Sequence, residues 1–263
     1  MVQLLCTVRD CGLPLAREPR RYICARGHSF DIARSGYVNL LQPQERRAKV
    51  PGDSPEAVAA RRRFLDRGFA EPLLLAIGDF VEKVGLTPED AILDVGCGEG
   101  YYLGGVAKRF GVEGHGVDIS TAAIDLAARR YKECHFIVAN ADRALPYADD
   151  SFKLVLSITG RLHAAELARV GAWAMIAVSA PDDLHELRGG RQRDRVQRTI
   201  ETFGPHFELV DQSRASTIAT LDAAAASDIL AATYRPRAAP AGEVTLALDL
   251  LLFRRRTTAA SRP

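Results

Sequence analysis

The sequence predicts an α/β fold with a small β module at the amino-terminal end. From about residue 90 onward, strand-length apolar runs alternate with segments of helical periodicity. Such alternation is typical of a parallel sheet with helices on both faces. The first 38 residues differ, because they are rich in turns and carry three of the five cysteines. We therefore expect two parts with different sources of stability.

The composition is that of a globular protein. The 263 residues are 47% hydrophobic and 26% charged, which is close to the globular average. No apolar run reaches the roughly 18–20 residues that a membrane helix requires, so we expect no membrane partner. The start, MVQLLCTVRDCG, becomes charged too early for a signal peptide, and we expect a cytoplasmic location. Cysteines are reduced there, so a cluster of them indicates a metal before a disulfide.

The elements divide the chain into three parts. Residues 1–38 form the cysteine-bearing module, with β-like pieces such as RRYIC and, at its end, YVNLL. Residues 39–85 begin with the polar linker QPQERRAKVPGDSP and continue with apolar residues at helical spacing, which predicts one or two helices. Residues 86–263 form the α/β domain.

Strands are predicted in that domain at AILDV, GHGVDI, HFIVAN, KLVLSI and AWAMIAVSA. Two further β-rich runs, FELVDQSRASTI and EVTLALDLLLF, flank an alanine-rich helix around residues 221–234. The tail, RRRTTAASRP, is predicted to be disordered.

A glycine loop follows the first of these strands. It reads DVGCGEG, with Asp94, Gly96, Gly98, Glu99 and Gly100 as candidate ligand-binding residues. Ligands of open parallel sheets lie at the carboxyl ends of the strands, and glycines let the backbone approach them. A dinucleotide site uses G-x-G-x-x-G, whereas the spacing here is G-x-G-x-G. The carboxylates would repel a pyrophosphate and suit the sulfonium and ammonium groups of S-adenosylmethionine.

Two more acids lie at successive strand ends. Asp118 ends the second strand, where a carboxylate can accept hydrogen bonds from ribose hydroxyls. Asp142 follows the third strand and could reach an adenine amino group. Singly, each could be a helix cap or a turn residue. Together with the glycine loop they resemble the class I S-adenosylmethionine-dependent methyltransferases, which implies a Rossmann-like sheet.

The amino-terminal module contains a candidate zinc site. Cys6 and Cys11 form a C-x4-C pair, and Cys24 with His28 forms a C-x3-H pair. Two ligand pairs on two turns would hold a tetrahedral Zn²⁺ and fold a piece that is too small for its own core. In the alternative interpretation, two of these cysteines are small core residues and the histidine lies at the surface. Cys97 and Cys134 are predicted to be packing residues.

Three longer segments carry a more specific resemblance. CARGHSFDIARSGYVNLLQP, PGDSPEAVAARRRFLDRGFAEPL and ILDVGCGEGYY occur in this order. Together they resemble the bacterial 23S rRNA guanine-N1 methyltransferases, from about residue 5 to residue 190. The resemblance implies methylation of a guanine in a hairpin loop of 23S rRNA, with 23S rRNA and not DNA as the partner. It assigns zinc to the four ligands above, and cofactor contacts to Gly98, Glu99 and Phe69.

The sequence departs from that family in four places. The aromatic-rich Pro-Phe-Trp segment expected after the alanine-rich helix reads AATYRPRAAP. The first cysteine pair has two extra residues, and a PGG turn before the fifth strand is shortened to VGAW. Asp183 stands where a histidine is expected, with His185 two positions later. Guanine N1 must lose a proton, so a base or a stabiliser of the anion is needed. Asp183 and His185 are the candidates, although helix-cap or solvated roles rank ahead for both.

Charge is distributed unevenly along the chain. Residues 1–70 hold 13 Lys/Arg and 7 Asp/Glu, a net +6, and the other 193 residues hold 22 and 26, a net −4. Basic surfaces supply affinity for RNA phosphates. The residues expected to contact RNA are Arg17, Arg20, Arg21, Arg26, Arg34, Arg46, Arg47 and Lys49, with Arg61–Arg63 as a further helix face that could equally be solvated.

Three functions remain open from sequence alone. The first is the rRNA methyltransferase. The second is a methyltransferase of a small molecule, with the amino-terminal module as a lid. The third is a non-catalytic RNA-binding relative, which the intact glycine loop argues against. The oligomeric state is open too, with a homodimer as one alternative.

Overall fold

The computed structural model describes residues 2–42, 52–160, 163–233 and 240–256. Three predictions involve residues outside these ranges: the RNA contacts of Arg46, Arg47 and Lys49, the disorder of residues 257–263 of the tail, and the end of the alanine-rich helix at residue 234. The predicted disorder begins at residue 254, and it is wrong for Arg254 and Arg255, which end a strand. No helix in the described ranges combines the length and the apolar composition that a membrane crossing needs.

The amino-terminal module is a three-stranded antiparallel sheet. Its strands are β1 (Leu15–Arg17), β2 (Arg21–Cys24) and β3 (Ser29–Asp31). They pair in the order β1-β2-β3, with Leu15 opposite Cys24 and Arg21 opposite Asp31. The strands are short, so few backbone hydrogen bonds hold them together, as expected for a module that depends on a metal.

The large domain is built on an eight-stranded sheet. Its strands are β4 (Val38–Asn39), β5 (Ala91–Val95), β6 (Glu113–Asp118), β7 (His135–Val138), β8 (Phe152–Ile158), β9 (Gly171–Ser179), β10 (Phe207–Leu221) and β11 (Gly242–Arg255). Their spatial order is β10-β11-β9-β8-β5-β6-β7-β4. Strand order reverses between β5 and β8, and a ligand crevice is expected at that point.

The sheet is mixed: the alternating strands are parallel, as predicted, and the two C-terminal β-rich runs add antiparallel strands. Strands β4 to β9 pair in parallel, whereas β11 is antiparallel to both β9 and β10. The antiparallel direction follows from connectivity: helix α8 (Ala223–Ala232) leads from the end of β10 back to β11, which enters between β10 and β9. The YVNLL segment also differs from a module strand, because β4 adds to the edge of the large sheet beside β7.

Helices cover both faces of the sheet, as predicted. They are α1 (Pro55–Asp66), α2 (Glu71–Val81), α3 (Tyr101–Phe110), α4 (Thr121–Arg130), α5 (Ala164–Val170), α6 (His185–Arg188), α7 (Val196–Phe203) and α8 (Ala223–Ala232). The first helix begins where expected, because the side chain of Ser54 accepts a hydrogen bond from the Ala57 amide and Pro55 occupies the first turn.

Alternating strand residues divide the core into two layers. Ile92, Leu154 and Leu156 face the layer formed with α1 to α4 and α8. Leu93 and Val155 face the opposite layer, which includes α5, α7 and the amino-terminal module. This division arises because successive side chains of a strand point to opposite faces of the sheet. The module therefore packs on the sheet and buries apolar side chains there.

Candidate functional site

Six of the predicted cofactor residues line one cavity at the carboxyl ends of β5, β6 and β7. The cavity has a volume of about 540 Å³. These residues are Asp94, Gly96, Gly98, Glu99, Asp118 and Asp142. The strands are parallel and adjacent, so residues far apart in sequence meet at one edge. The cavity lies at the reversal of strand order between β5 and β8.

The glycine loop holds its shape through backbone conformations that favour glycine. Gly98 has φ +54° and lies against the guanidinium of Arg61. Gly100 has φ +79° and begins helix α3; a Cβ there would lie 3.0 Å from the ring of Phe136. Gly100 thus lies behind the loop rather than on the cavity wall. It permits the close approach of α3 to the sheet.

Three acids are concentrated on this wall. Burial raises the pKa of Asp94 to about 8, and the carboxylates of Asp118 and Glu99 add to the shift. Burial also raises the pKa of Glu99 and of Asp118. Within the described part of the chain, Asp94 Oδ1 and Glu99 Oε2 have no hydrogen-bond partner. Buried carboxylate oxygens without partners favour a cationic ligand, because a cation compensates for their lost hydration.

Arg61 of α1 also enters the cavity. Its Nη1 lies 2.5 Å from Asp53 Oδ2 and 3.9 Å from Glu99 Oε2, and its Nη2 donates to the Ala232 carbonyl. Asp53 lies near the end of the predicted linker, so the segment just before α1 contributes to the same wall. This arginine offsets part of the negative charge of the acids.

The opposite wall is formed by residues that follow β9. Asp183 lines the cavity, and its two carboxylate oxygens accept hydrogen bonds from the Ala247 amide and from Arg188 Nη1. Arg188 also lines the cavity, and only 10% of its side chain is exposed. Its Nε has no hydrogen-bond partner among the described residues. The cavity thus has an acidic side and a side with a buried arginine.

Besides Gly100, two predicted residues lie outside the cavity lining. The ring of Phe69 packs on Phe64 with 5.2 Å between the ring centroids, and Phe64 is the one that lines the cavity. His185 is turned away, with Nδ1 2.9 Å from the Asp182 carbonyl oxygen and 3.3 Å from a Glu186 oxygen.

The four predicted metal ligands meet at two turns of the amino-terminal module. Cys6 Sγ and Cys24 Sγ lie 3.4 and 3.5 Å from His28 Nδ1, and Cys11 Sγ lies 3.8 Å from Cys24 Sγ. With Zn–S bonds of about 2.3 Å and Zn–N bonds of about 2.0 Å, tetrahedral edges are about 3.8 Å between sulfurs and about 3.5 Å between sulfur and nitrogen. The donor set and its spacing therefore fit Zn²⁺. Cys97 and Cys134 are buried apart from this cluster.

Both parts of the chain match known families. Residues 92–178 match the model described as "Methyltransferase domain", and residues 5–49 match the zinc-ribbon model described as "RlmA, N-terminal". The chain is 33% identical over 222 residues to the 23S rRNA (guanine(748)-N(1))-methyltransferase of Streptomyces fradiae, covering 81% of this chain and 78% of that one. The chain belongs to the 23S rRNA (guanine-N1)-methyltransferase family.

Further comparisons agree with membership of this family. YxjB of Bacillus subtilis strain 168, provisionally named a 23S rRNA (guanine-N1)-methyltransferase, is 30% identical over 261 residues, or 93% of this chain and 90% of YxjB. A chain from the Haloferax volcanii complex of the Trm112 methyltransferase activator with a methyltransferase shares the fold, with a TM-score of 0.55 and 19% identity over 78% of this chain and 99% of that chain. The cofactors of this family member are S-adenosylmethionine and zinc.

Sequence reasoning missed two arginines of this 23S rRNA (guanine-N1)-methyltransferase family member. Arg61 was grouped with Arg62 and Arg63 as an exposed face, yet it lies three residues after Val58 and three before Phe64, both buried. Helical phase could therefore have found it. No local pattern marks Arg188, because its partner Asp183 is itself held at the cavity by the distant Ala247 amide.

Proposed function

We propose that this chain transfers a methyl group from S-adenosylmethionine to N1 of a guanine in a hairpin loop of 23S rRNA. Asp94, Glu99 and Asp118 would hold the cofactor on the acidic wall, with Asp142 at the rim. Bound there, S-adenosylmethionine supplies a methyl group on a positively charged sulfur. The protein's own task is to orient the guanine and to stabilise the charge that its N1 develops.

The observation that carries the proposal is a wall shared by two cavities. Ala139 and Asn140, in the loop after β7, line the cofactor cavity. The same two residues line a second cavity of about 490 Å³, together with the zinc-ribbon loop that contains Cys6 and Cys11. RNA held by the ribbon would therefore reach the rim of the cofactor cavity directly. A ribosomal substrate also supports the expected cytoplasmic location.

Positive charge surrounds this second cavity. Arg9 and Arg143 line it and are exposed, so both are available to phosphates. Five of the predicted RNA contacts lie in the ribbon region and are exposed as well: Arg17, Arg20, Arg21, Arg26 and Arg34. Arg21 pairs with Glu18, and Arg26 donates to the Asp10 carbonyl. Contacts between exposed arginines and RNA phosphates give affinity without sequence specificity.

Arg62 and Arg63 fit an RNA surface less well. Both lie on α1, outside the ribbon, where Arg62 pairs with Asp66 and Arg63 pairs with Asp228. We therefore assign the RNA surface to the ribbon and the loop after β7. We also propose that the chain divides into a ribbon of residues 1–38, a linker with helices over residues 39–85 and a catalytic domain of residues 86–263.

Arg188 is our candidate for the chemistry at the base. Loss of the N1 proton from guanine spreads negative charge over N1 and O6, and a buried guanidinium can stabilise an O6 anion. Asp183 holds Arg188 at the cavity through the 3.3 Å contact between Oδ2 and Nη1. Both carboxylate oxygens of Asp183 already accept hydrogen bonds, so we give Asp183 a positioning role and leave the proton acceptor unassigned. The base must leave its stack to reach the cavity.

The test uses the full chain, radiolabelled S-adenosylmethionine and an unmodified 23S rRNA transcript. Label should enter the RNA, and reverse transcription should stop at one guanine, because a methyl group on N1 blocks Watson–Crick pairing. A transcript with that guanine replaced by adenine is the matched control and should stay unlabelled. Light scattering of the same sample tests whether the enzyme is a homodimer.

Two outcomes would contradict the proposal and separate its alternatives. If the cofactor binds in calorimetry but no RNA is labelled, the small-molecule methyltransferase becomes the better interpretation. If the cofactor does not bind at all, the chain is a non-catalytic RNA-binding relative.

A further inference from the structure

A second cluster of side chains that could hold a metal ion lies near the starts of β6 and β7, and the cofactor cavity lies at the other ends of these strands. Glu113 and His115 are two residues apart on β6, so their side chains share one face. His135 begins β7 and is the register partner of His115. The pairing of two parallel strands therefore brings one carboxylate and two imidazoles together. None of the three belongs to the cofactor cavity or to the zinc ribbon.

The distances within this cluster suit a single small ion. Glu113 Oε1 lies 3.0 Å from His115 Nε2 and 3.5 Å from His135 Nε2. The two imidazole rings have centroids 4.8 Å apart, and the possible ligand atoms all lie within 4.8 Å of one another. A tetrahedral ion with bonds of about 2.0–2.1 Å has ligand–ligand edges of about 3.3 Å. Three ligands could reach one ion without moving the backbone.

One of the three side chains is buried, and the other two are partly exposed to solvent. The side chain of His115 is 5% exposed, that of Glu113 31% and that of His135 44%. Tyr147 and Phe152 pack edge-on against the His115 ring, at 5.6 and 5.3 Å between centroids. His115 is thus held in place by aromatic packing. The other two ligands face water, through which an ion can enter.

The hydrogen bonding of His115 places Nε2, and not Nδ1, against Glu113. Its Nδ1 is buried and has no hydrogen-bond partner in the described part of the chain. Only the contact of Nε2 with Glu113 then decides which ring nitrogen carries the hydrogen. An ion between Nε2 and the carboxylate would take over that contact, with the ring hydrogen on Nδ1.

We propose that Glu113, His115 and His135 form a second metal site, which binds a divalent transition-metal ion such as Zn²⁺ with solvent as the remaining ligand. Two imidazoles and one carboxylate are a donor set that Zn²⁺, Ni²⁺ and Cu²⁺ accept. The ion would join the starts of β6 and β7. The other ends of these strands carry Asp118 and the loop of Ala139 and Asn140. The proposal does not depend on the nature of the methyl acceptor.

The experiment counts zinc on the full chain. Wild type, His135→Gln and the control His206→Gln are dialysed to equilibrium against micromolar Zn²⁺ under reducing conditions, and bound zinc is measured by elemental analysis. His206 is an exposed histidine outside both clusters. Wild type and His206→Gln should bind twice as much zinc as His135→Gln, which keeps only the ion of the ribbon. Glu113→Gln is a second variant with the same expected loss.

Cobalt spectra show where the second ion lies. Thiolate-to-cobalt charge transfer should saturate with the first equivalent of Co²⁺, and the second should add only the weaker ligand-field bands. A wild-type chain that binds one equivalent overturns the proposal. So does a His135→Gln chain that binds as much zinc as wild type.

Discussion

Oδ2 of Asp118 accepts a hydrogen bond from the backbone amide of Gly98, with 3.0 Å between the two atoms. Oδ1 of the same carboxylate accepts from the Ser120 amide at 2.8 Å. One side chain at the end of β6 therefore joins the glycine loop after β5 to the start of α4. The carboxylate that is expected to bind the cofactor also fixes the loop around it.

Replacing this carboxylate should weaken cofactor binding. In Asp118→Asn one side-chain oxygen becomes an NH₂ group, which cannot accept from a backbone amide. Hydrogen bonds to charged groups contribute about 1.5–3 kcal/mol, so we expect Kd for S-adenosylmethionine to rise by roughly 10- to 100-fold in calorimetry. Glu89→Gln removes an exposed charge far from the loop and should leave Kd unchanged. Equal affinities for all three proteins would contradict this role.

Cofactor binding should also depend on pH through Asp94. The pKa of Asp94 is raised to about 8 by burial and by its acidic neighbours, so the free protein carries a proton there at neutral pH. A cationic ligand favours the ionised form, so affinity should rise as the pH increases from 6 to 9. Binding at pH 7 should release a proton, visible as a buffer-dependent enthalpy in calorimetry. Asp94→Asn should abolish that proton release. A wild-type affinity that does not change with pH would contradict this role of Asp94.

The same shift predicts how the cofactor-free protein responds to pH. The ordinary pKa of Asp is about 3.9, below the folded value, so the folded state binds more protons between the two values. The stabilisation from this group is complete below the unfolded pKa and is lost as the pH rises through about 8. Urea unfolding at several pH values, with Asp94→Asn as the control, measures the slope. A slope of the opposite sign would contradict the assignment.

Arg188 should act on the rate of methyl transfer and not on cofactor affinity. Loss of one donor to a developing oxyanion costs about 10²–10³ in kcat, so Arg188→Ala should lose that much while Kd for S-adenosylmethionine is kept. The deficit should shrink at high pH, where guanine N1 ionises without help. Single-turnover rates at saturating cofactor give the comparison, with exposed Arg191→Ala as the control. A rate deficit that does not change with pH would point to a structural role.

The ribbon should be needed for RNA and not for the cofactor. Cys11→Ser removes one thiolate from a half-buried position and should lower the zinc content by one ion. RNA affinity should fall in filter binding, because the ribbon loop loses its fixed shape. Cofactor affinity should stay within a few-fold of wild type. Cys134→Ala, a buried cysteine outside the cluster, should keep its zinc; equal RNA binding by both variants would contradict this division.

Arg9 and Arg143 should contribute electrostatic affinity for RNA. Replacing both by glutamate should raise Kd for the hairpin, and it should reduce the slope of log K against log salt concentration by about 0.7 for each lost phosphate contact. Arg198→Glu, an exposed arginine of α7 that lines neither cavity, is the control. An unchanged salt slope in the double variant would place the RNA elsewhere.

The sequence predicted those parts of the site that depend on local chemistry. The glycine loop from Asp94 to Gly100 was visible because its residues share one turn between a strand and a helix. The four zinc ligands were visible because each pair lies within one turn. Asp118 was visible because it ends a predicted strand. The direction of the two C-terminal strands was not predicted, since periodicity does not report the direction of a strand.

Tertiary structure alone decided which distant residues became neighbours. Glu113, His115 and His135 meet through strand register. Arg188 turns inward toward Asp183, a carboxylate that the distant Ala247 amide holds in place. The reason is physical: turns, caps and periodicity are set by interactions within a few residues, and the chain itself records them. Register and the inward turn of a charged side chain depend on packing between segments that are far apart, so they exist only once the sheet has formed.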